Sequence, residues 1–102
     1  MVKVIWSNRS LTDLHEIAEY ISLDSVHYAQ LTLERIISVT TLLETQPLIG
    51  RKVPEINDAS IRELIIGSYR LIYKIVKQHQ IFILTVHHSA RLLKTRSIKR
   101  SK

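Results

Sequence analysis

Six basic side chains and a histidine pair fall where β-prone segments and their flanks bring them together. Arg62, Arg70 and Lys74 sit inside apolar runs, His87-His88 closes the last such run, and Arg91 comes just after it. Arg51-Lys52 comes from a loop-like stretch upstream. Arginine carries a planar fork suited to bidentate contact with phosphate or carboxylate. A histidine beside such a cation can move a proton in phosphodiester cleavage. Adjacent residues on a strand point to opposite faces, so only one of His87 and His88 shares a face with the arginines. The competing reading is internal pairing, for instance of Arg62 with Glu55 or Glu63.

Other chemistries are excluded or lack a motif. The chain has no cysteine, so disulfides, thiolate metal sites and cysteine nucleophiles are ruled out. With two glycines among 102 residues it has no Gly-rich phosphate loop. His15, His27 and His79 show no metal-ligand spacing, and no metal or cofactor is expected. No apolar run approaches the roughly 18 residues of a membrane span. The start, Met1-Val2-Lys3-Val4-Ile5-Trp6, turns polar too quickly for a signal peptide, so the chain reads as cytoplasmic.

Charge is divided along the chain. Residues 1–63 hold six Lys/Arg and all nine Asp/Glu, a sum of −3. Residues 64–102 hold nine basic residues and no acidic one, giving +9 and the total of +6. A dense positive field attracts polyanions or acidic protein segments.

The elements that must position these residues can be read from periodicity. Val2 to Trp6 is rich in β-formers and reads as a strand. Ser7 can cap the next segment, with Ser10 and Asp13 as a second possible start, and Leu11, Leu14, Ile17, Ala18 and Ile21 there recur at helical spacing. Asp24-Ser25 caps a second helix reaching about Thr45, with the stripe Ala29, Leu33, Ile36, Ile37, Thr40 and Leu43. So short a link predicts an antiparallel helix hairpin. Pro47 and Gly50 end it, and residues 50–58 form a loop. Ile61 to Ile66, Tyr69 to Lys77 and Ile81 to His88 then read as a three-stranded antiparallel meander, with Gly67-Ser68 as a tight turn. The expected fold is α+β in the order β-α-α-β-β-β, one domain over 1–102, with helices on one sheet face and 89–102 as a basic C-terminal segment.

Both faces of that meander are apolar. Phe82, Leu84 and Val86 alternate with Ile81 and Ile83, and Leu71, Tyr73 and Ile75 alternate with Ile72 and Val76. An antiparallel sheet with one wet face alternates apolar with polar. Two helices cover one face, which predicts a partly apolar, cation-rimmed groove on the other. Loops folding over that face are the alternative.

Several segments, in order and spacing, resemble the RelE/ParE superfamily of bacterial toxin–antitoxin toxins. They are Val4-Ile5-Trp6-Ser7 with Asp13-Leu14-His15-Glu16-Ile17 and Tyr20-Ile21; Pro47-Leu48-Ile49-Gly50-Arg51 with Val53-Pro54-Glu55; Ile61-Arg62-Glu63-Leu64; Tyr69-Arg70-Leu71-Ile72-Tyr73; and Val86-His87-His88-Ser89-Ala90-Arg91. The resemblance covers Val4 to about Leu93.

That resemblance implies one of two main activities. RelE-like members cut messenger RNA in the ribosome, and ParE-like members poison DNA gyrase. Cutting by a ribose 2′-OH needs a base, an acid and cations for the phosphate. Arg70 matches the middle-strand arginine of RNA-cutting relatives. Their later positions fall here on Ser89, Ala90 and Thr95, none of which titrates usefully. His88 and Arg91 form a His-x-x-Arg pattern similar to ParE-like members. On the same resemblance, a ParE-like toxin would present Arg51, Arg70, His88, Arg91, Lys94 and Arg96 to gyrase. A RelE-like ribonuclease would use Arg70, Arg62, Arg91 and His88 or His87 on ribosome-bound mRNA. A third possibility is a non-toxic module that only binds its antitoxin. In every case a cognate antitoxin is the expected partner, with Leu71, Tyr73, Ile81 and Ile83 as groove candidates.

Overall fold

The computed structural model describes residues 1–77 and 79–89. Strand β1 (Lys3–Trp6) ends at Ser7, whose side-chain oxygen accepts the Ser10 amide at 3.0 Å and so caps helix α1 (Asn8–Ser22). The Ser10 hydroxyl donates back to the Ser7 carbonyl at 2.8 Å. Ser25 repeats the device for helix α2 (Val26–Thr45), accepting the Tyr28 amide at 3.0 Å. These oxygens satisfy amides that have no partner within the helix.

Strands β2 (Arg51–Lys52), β3 (Ile61–Ile66), β4 (Tyr69–Lys77) and β5 (Gln80–His88) complete the fold. The expected β3–β4–β5 meander is present, with Gly67 at a φ of 58° in its first turn, a left-handed conformation that glycine adopts without strain. The sheet, however, has five strands in the order β1-β5-β4-β3-β2, and it is mixed. β1 lies parallel to β5, with Ile5 opposite Phe82. A parallel pair needs a long crossover, and the α-hairpin lies within the chain between β1 and β5. At the other edge, two residues of the expected loop pair with β3 as β2.

The helices cover one face. Leu14, Ile36 and Leu43 pack there with Leu71, Tyr73, Ile81, Ile83 and Val86. Each fully buried aliphatic side chain contributes roughly 1.5–3 kcal/mol relative to exposure. Leu11 and Ile37, expected in the helical stripes, are instead exposed. The opposite face carries a smaller cluster of Val53, Ile61, Ile72 and Leu84, with Ile56 and Phe82 against it.

Tyr73 ties the helix-side core to the loop after α2. Its hydroxyl donates to the Pro47 carbonyl at 2.8 Å and accepts the Gly50 amide at 2.9 Å. Gly50 is required for this approach, because a Cβ there would lie 2.7 Å from both the Tyr73 hydroxyl and the Glu63 carbonyl. Removing one hydroxyl strands two backbone groups, at about 1–3 kcal/mol for a group left buried and unpaired. Tyr73→Phe is therefore expected to lower stability by about that much, read as a lower urea midpoint at unchanged slope.

Candidate functional site

Two of the cations singled out by sequence, Arg51 and Arg70, meet on the outer face of the sheet, where they meet carboxylates as well. Arg70 stands on β4 beside Glu63, which pairs with the neighbouring Ile72 across the β3 ladder. Its Nε and Nη2 both lie 2.6 Å from Glu63 Oε1. The rest of its fork meets Glu55 in a bidentate contact, Nη1 to Oε2 and Nη2 to Oε1, each 2.9 Å. On the other side of Glu63, Arg51 Nε reaches Oε2 at 2.6 Å. The Glu63 side chain has no exposure, that of Arg70 10%, and that of Glu55 38%. A buried carboxylate is tolerable only with such pairing.

Titration follows from the geometry. The hydrogen bonds from Arg70 hold the Glu55 carboxyl down at about 2, against an ordinary 4.5, despite an opposing effect of burial. The same contact with Glu55, then Glu63, raises Arg70 above its ordinary range. The amide and hydroxyl of Ser60 lower Asp58 in the same loop. Burial raises Tyr73.

Arg62 has a different occupation. It donates to three main-chain carbonyls: Nη1 to Gly50 at 2.8 Å and to Leu48 at 3.5 Å, and Nε to Ala59 at 3.1 Å. The expected partners Glu55 and Glu63 are taken by Arg70 and Arg51. Arg62 thus binds together both ends of the loop.

The groove expectation is corrected on two counts. Leu71, Tyr73, Ile81 and Ile83 are fully buried, and they lie under the helices, not on the open face. The outer face is covered in part by the chain itself, as Val53 and Ile56 of the loop after β2 pack on Ile72 and Leu84. Arg70 is committed to internal ion pairs, the alternative that competed with a free anion site. Arg91, Lys94 and Arg96 lie outside the described residues.

The histidines are separated as strand alternation requires. Arg70 stands opposite His87 across the β4–β5 ladder, and Tyr69 opposite His88. The Tyr69 and His88 rings meet edge-on with centroids 5.4 Å apart. Sequence reasoning missed one residue here. Asp13 of α1 accepts both the Thr85 hydroxyl at 2.5 Å and the Val86 amide at 3.0 Å. A lone helical aspartate carries no sequence signal of a partner 72 residues away. Among the described residues no cluster of three His, Cys, Asp or Glu side chains can hold a metal.

A family model described as the ParE toxin of the type II toxin–antitoxin system parDE matches residues 4–93. The chain belongs to that family. The ParE-type fold is also seen in solved structures. The chromosomal ParDE toxin–antitoxin system from P. aeruginosa superposes with a TM-score of 0.70 at 21% identity, covering 86% of this chain and 96% of that one. The RelBE2 toxin–antitoxin complex from Mycobacterium tuberculosis gives 0.61 at 23% identity, covering 85% and 96%. No curated protein sequence is significantly similar to the chain. Among the described residues no helix is long and apolar enough to cross a membrane.

The ParE-type toxin holds Glu55 ionised through the Arg70 contact, so a pH dependence is expected. A carboxyl depressed in the folded state stabilises it above the unfolded value of 4.5, and that contribution is lost as pH falls toward 2. Glu55→Gln is expected to lower the urea midpoint at neutral pH. The gap to the parent should close as pH falls through this window. A gap that persists undiminished at the acid end would contradict the assignment.

Proposed function

We propose that this ParE-type toxin acts by binding DNA gyrase, with no RNA cleavage of its own, and that a cognate antitoxin neutralises it. The observation carrying this reading is the occupation of Arg70. Ribonuclease chemistry on this scaffold asks the middle-strand arginine to meet the crowded phosphate. In this chain that guanidinium is turned onto Glu55 and Glu63, with 10% of its side chain exposed. Releasing it would leave the Glu63 carboxylate buried with one partner fewer, a costly change. The sequence supports the same reading, since Ser89, Ala90 and Thr95 stand where cutting relatives carry titratable groups.

The antitoxin is proposed from family membership and from the two neighbouring structures, both of toxin–antitoxin systems. Candidate contacts to gyrase are His88 with Arg91, Lys94 and Arg96 of the following segment. Arg51, at 64% side-chain exposure, contributes an edge charge while still holding Glu63. Arg70 supports the surface from below.

A supercoiling assay with purified gyrase tests the reading. Added toxin is expected to suppress supercoiling and accumulate cleaved DNA, and pre-mixing with the antitoxin should restore activity. Full gyrase activity at excess toxin, together with mRNA cuts in translating extract that vanish in Arg70→Ala, would replace it with the RelE-like ribonuclease.

A further inference from the structure

We propose that Asp13 is a positioning residue: it holds one extra residue in β5 and thereby decides whether His87 or Val86 stands beside Arg70, and which histidine meets Tyr69. The β4–β5 ladder changes register between Ile72 and Tyr73. Tyr73 faces Ile83, yet Ile72 faces Thr85, so Leu84 is inserted without a Cα partner. Such a bulge shifts every later residue of its strand to the other face. An unbroken ladder running on from Tyr73–Ile83 would set Arg70 against Val86 and Tyr69 against His87. With the bulge, Val86 joins the helix-side core, His87 stands across from Arg70, and His88 meets Tyr69.

A bulge disrupts ladder bonding. Here groups around it are taken up by side chains from the start of α1. The Val86 amide goes to Asp13, which also takes the Thr85 hydroxyl. The Leu84 carbonyl accepts the Ser7 hydroxyl at 3.0 Å. Ser7 and Ser10 are fixed to each other and the helix start, so the clamp is rigid. Asp13 is placed by α1, whose Leu14 is anchored in the core, and is thus delivered to β5 by an element unrelated to the β4–β5 hairpin. Its target is the segment leading directly into His88 and the basic residues beyond. The structural part of this inference stands alone; its consequence for toxicity rests on the function proposed above.

The test uses the full chain and the variants Asp13→Ala, Asp13→Asn and Thr85→Val. In Asp13→Ala the Val86 amide should exchange about tenfold faster than in the parent after correction for global unfolding, as one bond of a local unit is lost. The nuclear Overhauser contact between the Tyr69 and His88 rings should disappear with it. Asp13→Asn keeps a side-chain oxygen for the Val86 amide and should restore the ring contact. If Asp13→Ala fails to fold, Thr85→Val, which removes only the hydroxyl, should still raise Val86 exchange about threefold. An unchanged Val86 amide and an intact Tyr69–His88 contact in the folded variants would overturn the proposal. Growth inhibition should track the ring contact, lost in Asp13→Ala and kept in Asp13→Asn. A parent that inhibits neither growth nor gyrase would sink the toxin reading, while exchange and ring contact would still decide the role of Asp13.

Discussion

Glu63 is a carboxylate with no exposure in the middle of a sheet face, and much of the outer architecture results from keeping it compensated. An unpaired buried charge is among the most costly features a small domain can carry. Two guanidinium groups answer it, Arg51 from the edge strand and Arg70 from the neighbouring strand. Arg70 then has a fork left over, and Glu55 takes it. Glu55 lies in the loop that also carries Val53 and Ile56, so satisfying the charge draws that loop across the sheet. The polar cluster and the smaller apolar cluster are therefore one construction. The helices serve one face, and the ion cluster fastens a cover to the other.

This explains which parts of the fold were legible in sequence. Helices and hairpins are local: caps at Ser7 and Ser25, 3.6-residue spacing and Gly67 are visible in short windows. Parallel pairing of β1 with β5 joins residues almost the whole chain apart, and no window contains it. The two-residue β2 carries no periodicity of its own. The groove expectation failed for a physical reason. The second apolar face was expected to stay open for a partner, but alternation alone does not say which face the helices choose or that the chain's own loop packs on the other. Leu71, Tyr73, Ile81 and Ile83 were on the helical side.

The candidate site was legible in its residue types and misread in their engagement. Arg51, Arg62 and Arg70 do converge around the β2–β3–β4 edge, yet each has an internal task. Partner choice depends on geometry that sequence distance conceals: Arg62 bypassed the nearby Glu55 and Glu63 for three carbonyls. The histidine faces turned on a single inserted residue. Phe82 and Leu84 share a face as alternation predicts, and Val86 departs from it because Leu84 is extra. A bulge leaves no compositional mark, so counting by twos along β5 gives the wrong parity after it.

The same correction changes the meaning of the charge. The described residues hold nine Lys/Arg and nine Asp/Glu, so their formal sum is zero. The whole excess of +6 belongs to Arg91, Lys94, Arg96, Lys99, Arg100 and Lys102. The apparent cationic half is a balanced body joined to a basic segment. The balance is also local, since Arg51 and Arg70 are matched by Glu55 and Glu63 in one cluster. Screening at physiological salt confines an exposed charge to about 8 Å. Long-range attraction of an anionic partner must then originate in the segment after β5. The body itself offers shape, apolar contact, hydrogen bonding and the exposed edge charge of Arg51. These two functions join at the end of β5, where the bulge sets the last strand residues before the positive charge begins.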